Sequence, residues 1–324
     1  MSSVTKMSFF EIRTSLFLAS VYSLRMLGMF LILPIFAVYA SGLSSSPSQL
    51  QIGIALGIYG LTQAVFQIPF GVSSDFFGRK KVIYFGLAIF VLGSIIAGSS
   101  AQIEGIIIGR AIQGAGAISA VLTALLSDLT RDENRTKAMA IVGASIGLSF
   151  ALSLVISPWL NDKIGVSGMF FMMAILSILA AIIIHFFIHE PKRVNKKIIV
   201  NLKDFYAVLQ RIDLGRLNLG IFVLHVAQIS MFMVVPFYLI QQGSLPLHDH
   251  WMIYLPVLLV SLILIVPIII FSEKLNQTKP IFLFSILTLL AAQLSFVYFS
   301  NDLVGIFISL LIYFVGFNFL EASL

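Results

Sequence analysis

Apolar residues in this chain fall in long blocks rather than at alternating or one-sided helical intervals. Breaks rich in charge, Pro, Gly or Ser leave ten runs, which predict helices over 15–41, 50–73, 82–100, 103–127, 137–160, 167–189, 214–240, 250–272, 279–299 and 302–323. About twenty apolar residues carry a helix across the hydrocarbon of a bilayer, where every backbone amide must be paired inside the segment. Barrel strands would instead alternate over about ten residues, and no such alternation is present. The pattern therefore predicts an all-α membrane protein. The first run is too long for a signal peptide and lacks a small-residue cleavage site, so a retained helix is expected there. The long interruption near 190–213 sets six helices apart from four. The expected organisation is a six-helix bundle over 1–190, a cytoplasmic linker over 191–213, and a partial second bundle, helices seven to ten, over 214–324. The Lys-rich stretch from Lys196 to Leu209 fits either a short helix on the membrane surface or an ordinary charged linker.

Composition agrees with the pattern: 59% of the 324 residues are hydrophobic and 10% charged, far from the balance of an aqueous domain. The net charge of +6 gains its meaning from its distribution. Alternate loops hold Lys6 and Arg13; Arg79, Lys80 and Lys81; Arg131, Arg135 and Lys137; Lys192, Arg193, Lys196, Lys197, Lys203, Arg211 and Arg216; and Lys274 with Lys279. The opposite loops hold Lys163 alone. Cytoplasmic loops retain the positive excess, so both termini are expected in the cytoplasm. The charge is thus a topology signal rather than a nucleic-acid site, with inner-leaflet lipids as its expected partner. There is no cysteine, and the five histidines lack ligand spacing, so no metal or other cofactor is expected. No nucleophile elbow, phosphate-binding glycine loop or HExxH supports an enzyme.

Between the second and third helices lies G-V-S-S-D-F-F-G-R-K-K over 71–81. Gly71 and Gly78 allow a tight helix-to-helix turn, Asp75 offers a carboxylate to Arg79 or to a helix N-terminus, and Arg79, Lys80 and Lys81 mark the inside face. A plain charged turn obeying the positive-inside rule is the second reading. The fourth helix carries R-A-I-Q-G-A-G-A over 110–117, with Arg110 inside the span and Gln113 and Gly114 on its own face. A cation at that depth must face protein or water. Either Arg110 is a buried structural residue tied to backbone carbonyls, or it takes part in coupling.

These two stretches resemble motifs A and B of the major facilitator superfamily. Similar likeness runs through S-L-R-M-L-G-M-F over 23–30, G-I-Y-G-L-T-Q-A-V-F-Q-I-P-F-G over 57–71 and F-N-F-L-E-A over 317–322. The resemblance implies the major facilitator fold, a monomeric inner-membrane transporter, and proton-driven efflux through a cavity lined by helices one, four, seven and ten. That fold has twelve helices in two six-helix bundles, of which ten are expected here, so the chain is read as C-terminally incomplete. In the family the motif A aspartate braces against helix eleven, a partner that Asp75 lacks in this sequence. G-A-S-I-G-L over 143–148 aligns with the antiporter motif C, but Leu148 stands where that motif has proline.

Polar groups inside spans are costly and tend to line pathways. Arg25, Arg110, His225 with Gln228, and Asn318 with Glu321 fall on the first helices of successive three-helix repeats, as inverted-repeat transporters arrange their sites. Tyr59, Gln63 and Gln67 form a polar stripe that fits cavity lining and helix-to-helix glue equally well. Proton coupling needs a titrating group, for which Glu321, His225 and Asp128 are candidates, with Arg25 and Arg110 as charges whose approach would shift them. The candidate cavity residues are Tyr59, Gln63, Gln67, Gln113, Gln228 and Asn318. The expected function is efflux of a small hydrophobic or amphipathic substrate against inward protons. A sugar or metabolite transporter, coupled or uncoupled, and a non-transporting fragment are the alternatives.

Overall fold

The computed structural model describes residues 6–190, 210–275 and 277–323. It is built of helices α1 (Phe9–Ile32), α2 (Phe36–Ser41), α3 (Gln49–Phe77), α4 (Arg79–Ser99), α5 (Ile103–Ala115), α6 (Ser119–Asp128), α7 (Arg135–Phe187), α8 (Ile212–Gln241), α9 (Trp251–Lys274), α10 (Thr278–Phe299) and α11 (Leu303–Ser323), with short 3₁₀ turns before α7 and α9. Nine helical stretches among the described residues are long and apolar enough to cross a membrane. One of them, Asp132–Phe187, has 56 residues. At 1.5 Å per residue it would reach about 84 Å if straight, roughly twice a bilayer. It is broken at Gly165, whose φ of 64° is open to glycine and strained for other residues, so it crosses twice. The described residues therefore make ten crossings.

Local chemistry sets the ends. Helix α1 begins six residues before the expected start because Ser8 and Glu11 form a capping box, each side chain serving the other's backbone amide. Ser48 and Gln51 do the same for α3. Pro34, which has no N–H to donate, sits in the turn that parts α1 from α2, dividing the long first span. Gly78, at φ 101°, is the single-residue hinge between α3 and α4. The expected linker lies outside the described residues except for 210–213, and the Lys196–Leu209 stretch lies outside them entirely.

The chain divides into two compact units, Met1–Lys197 and Ile198–Leu324. In the first, α1 packs along α7, and α4 lies against both α5 and α7. One end of this unit is filled by Leu18, Ile83, Leu87, Leu122, Leu125 and Ile184. The middle depends on glycine: a Cβ at Gly93 would lie 2.6 Å from the Gly109 carbonyl, and one at Gly109 would lie 2.7 Å from that of Gly93. Such contacts let helix backbones touch, the usual means of close association where no water drives it. In the second unit α10 and α9 pack on α11 around Tyr254, Tyr313 and Phe314.

Candidate functional site

The fourth crossing is not one helix but two. The helical i-to-i+4 ladder is interrupted over 116–118, between α5 and α6 near the midpoint of the span, where Gly116 N donates to the Gln113 carbonyl and Ile118 N to the Gly116 carbonyl instead. The amides of Ser119, Ala120 and Val121, the first turn of α6, donate to no acceptor among the described residues. Arg25 reaches this break from the middle of the first span. Its Nη1 donates to Ser119 Oγ at 2.7 Å and its Nη2 to the Gly116 carbonyl at 3.0 Å, while its Nε has no partner among the described residues. The guanidinium also lies 5.8 Å from the Phe90 ring, and the residue is 1% exposed. Gln63 Nε2 donates to the same Ser119 hydroxyl at 3.3 Å, and Tyr22 OH lies 2.6 Å from both the Ser119 carbonyl and Thr123 Oγ1. Sequence reading found Arg25 and Gln63. It missed Tyr22, Ser119 and Thr123, whose small or amphipathic side chains carry no signal until the break gathers them.

Arg110 is held differently. Its Nε donates to the Ala55 carbonyl at 3.2 Å, its Nη2 to that of Leu56 at 3.5 Å, and its Nη1 to Gln113 Oε1 at 3.5 Å, with the guanidinium 5.0 Å from the Tyr59 ring. Gln113 passes the chain on to Ser94 Oγ at 2.8 Å and Met173 Sδ at 3.6 Å. Carbonyl dipoles, an amide and a ring face surround the cation. Tyr59 and Gln113, 3% and 0% exposed, are packed inside the first unit. Gln67, on the same stripe, is half-buried with its Oε1 unpartnered. Neither Arg25 nor Arg110 pairs with a carboxylate among the described residues.

Across 71–81, helical on both sides of the Gly78 hinge, Arg79 Nη1 lies 2.5 Å from Asp75 Oδ1 and donates to Ser74 Oγ, while its Nε donates to Asp128 Oδ2 at 2.9 Å. One guanidinium thus ties the end of α3 to the end of α6. Gly71 leaves ordinary van der Waals room against Ala120, at 3.8 Å. Lys80, beside Arg79 in the first turn of α4, is half-buried.

In the second unit, His225 Nε2 on α8 lies 4.0 Å from Glu321 Oε2 on α11, each side chain about half exposed at 47% and 50%. His225 Nδ1 is 2.9 Å from the Ile221 carbonyl, and the ring meets Phe317 edge-on. Asn318 Nδ2 donates to Ser261 Oγ at 3.2 Å, joining α11 to α9, and Gln228 is buried. The pairs read from spacing, His225 with Gln228 and Asn318 with Glu321, thus sit on two neighbouring helices, and one member of each, His225 and Glu321, meet at 4.0 Å.

Ten apolar crossings with polar groups set at mid-depth define a polytopic membrane protein of the kind that moves solutes. The model of the Major Facilitator Superfamily matches residues 18–323, and the chain belongs to that family. It is 41% identical to the inner membrane transport protein YajR of Escherichia coli (strain K12) over 98% of this chain and 70% of that protein. It is 38% identical to a transporter of Buchnera aphidicola subsp. Acyrthosiphon pisum over 98% of this chain and 82% of that one. Its fold is similar to that of a bacterial homolog of the human lysosomal transporter Spinster in an inward-facing conformation, with a TM-score of 0.75, 16% identity, and coverage of 98% of this chain and 74% of that one.

Proposed function

We propose that this chain is a secondary transporter of the bacterial inner membrane that exports small hydrophobic or amphipathic compounds in exchange for protons. Transport follows from family membership; the coupling reading is supported by the His225–Glu321 pair, 4.0 Å apart on two apolar helices and half-exposed on each. The pair joins α8 to α11, so a rearrangement of these two helices would part the imidazole from the carboxylate. The two bundles, 1–190 and 214–324, are the bodies whose conformations alternate, joined by the 191–213 linker. Asp75, Arg79 and Asp128 serve as the latch between states, because the arginine bridges two carboxylates and breaking either contact releases one helix end.

The test is proton movement in everted vesicles carrying a pH-sensitive dye. Addition of substrate should dissipate the imposed gradient with the native chain and not with Glu321→Gln or His225→Gln. No proton movement with the native chain would overturn coupling. In this proposal both termini and the 71–81 segment lie in the cytoplasm; since the sequence has no cysteine, Lys80→Cys gives a single-thiol chain. An impermeant thiol reagent should label it in everted vesicles and not in intact spheroplasts. The functional unit is a monomer in contact with inner-leaflet lipids, and a dimeric mass in native membrane nanodiscs would contradict it.

A further inference from the structure

We infer that the break in the fourth crossing is a subsite for the carboxylate or phosphate head of an anionic amphipathic substrate. The inference rests on the transport reading and narrows its substrate to one charge class. Three features meet at the break. The first turn of α6 presents the amides of Ser119, Ala120 and Val121 with no acceptor among the described residues, and the start of a helix carries the positive end of its dipole. Arg25, 99% removed from solvent, lies on that same turn through Ser119 Oγ and Gly116 O and keeps Nε unpartnered. No carboxylate among the described residues pairs with it.

The comparison with Arg110 shows why only one of the two arginines is open. Both guanidiniums lie over a ring, Phe90 for Arg25 and Tyr59 for Arg110, but Arg110 has an acceptor at each of Nε, Nη1 and Nη2. Arg25 has a neutral hydroxyl, one carbonyl and a spare Nε, and it faces a helix start that adds positive potential instead of cancelling it. Two like fields at mid-depth, without a counter-charge, are costly unless an anion joins them. The way in is at Ser119 and Ala120, which are half-buried while Ala117, Ile118 and Val121 around them are fully buried. The apolar surroundings fit a short alkyl or aryl tail. Arg25 is the seventeenth residue of α1, about 24 Å along it from Phe9. A phospholipid head, confined to the interface, does not reach that depth.

The probe is radiolabelled octanoate, bound to the full chain in phosphatidylcholine nanodiscs and corrected with empty discs. Octyl phosphate should displace it and octyltrimethylammonium should not. Arg25→Gln should weaken octanoate by about tenfold or more, the loss expected for one charge-assisted contact. Because Arg25→Gln removes a brace as well as a charge, Ser119→Asp is the decisive variant. It places a carboxylate on Arg25 at the helix start, so it should melt higher than the native chain and bind no octanoate. Equal displacement by the cationic amphiphile, or native octanoate binding by Ser119→Asp, would overturn the subsite. Displacement of octanoate by phosphatidylglycerol in the disc would also overturn it, since the occupant would then be a lipid. Binding needs no proton gradient. Failure here therefore leaves the coupling reading standing, and silence in the vesicle experiment leaves the subsite standing.

Discussion

Glu11 and Arg131, 120 residues apart, are clasped at the base of the first unit: Arg131 donates to the Glu11 carboxylate from its backbone N at 3.0 Å, from Nε at 3.0 Å and from Nη2 at 2.9 Å. The amide of Ser8 and Asn134 Nδ2 also donate to it, at 2.7 and 3.2 Å. The carboxylate that caps α1 thereby fixes the turn between α6 and α7.

Removing that acceptor strands several donors at once. Glu11→Ala should lower stability by about 2 kcal/mol, within the range for buried hydrogen bonds to a charged group. Arg131→Ala should cost less, because the Arg131 side chain is 53% exposed and water replaces part of what it loses. Thermal unfolding of the purified chain in detergent reads both; equal melting temperatures for Glu11→Ala and the native chain would contradict the clasp.

Glycines on the fourth and fifth crossings separate cleanly by what a methyl group would meet. At Gly114 a Cβ would fall 2.1 Å from the Tyr59 carbonyl oxygen, whereas at Gly147 nothing lies within 4 Å. Gly114→Ala should push α5 from α3 and destabilise by about 1–3 kcal/mol or more through overpacking. Gly147→Ala should be neutral or slightly stabilising, as helix propensity favours alanine. Melting temperatures that move alike for the two variants would refute this packing.

Four serines one turn apart, Ser145, Ser149, Ser153 and Ser157, each donate to a carbonyl of α1: Ala19, Ser23, Leu27 and Leu31 in order. Each hydroxyl also bonds back along its own helix or stands beside one that does, so the ladder holds register at modest strength. Ser149→Ala should cost about 0.6 kcal/mol and the Ser149→Ala, Ser153→Ala pair about twice that. Denaturation in mixed detergent micelles measures it, and a pair no weaker than the native chain would show the contacts to be incidental.

Arg79 bridges two carboxylates, which a lysine, with one compact charge, cannot reproduce. Arg79→Lys should keep the fold, with a stability loss of about 1 kcal/mol or less at this partly exposed site, and lose most export from intact cells. Native export by Arg79→Lys would remove the latch role from this residue.

The sequence by itself determined the fold class, the number of crossings and their polar content, because hydrocarbon penalises every unpaired amide and every charge, and that penalty is written in run length and composition. It also carried the capping signals Ser8 with Glu11 and Ser48 with Gln51, and the four-residue spacing of the serines. Neither signal declared its far partner, Arg131 or the α1 carbonyls, since those contacts join residues more than a hundred positions apart. Only the tertiary structure decided that Arg110 is satisfied and Arg25 is not. The two arginines look alike in a hydropathy profile. What separates them is where the backbone of the fourth crossing lets go, and that depends on the close approach of Gly86 to Gly116 and of Tyr59 to Gly114.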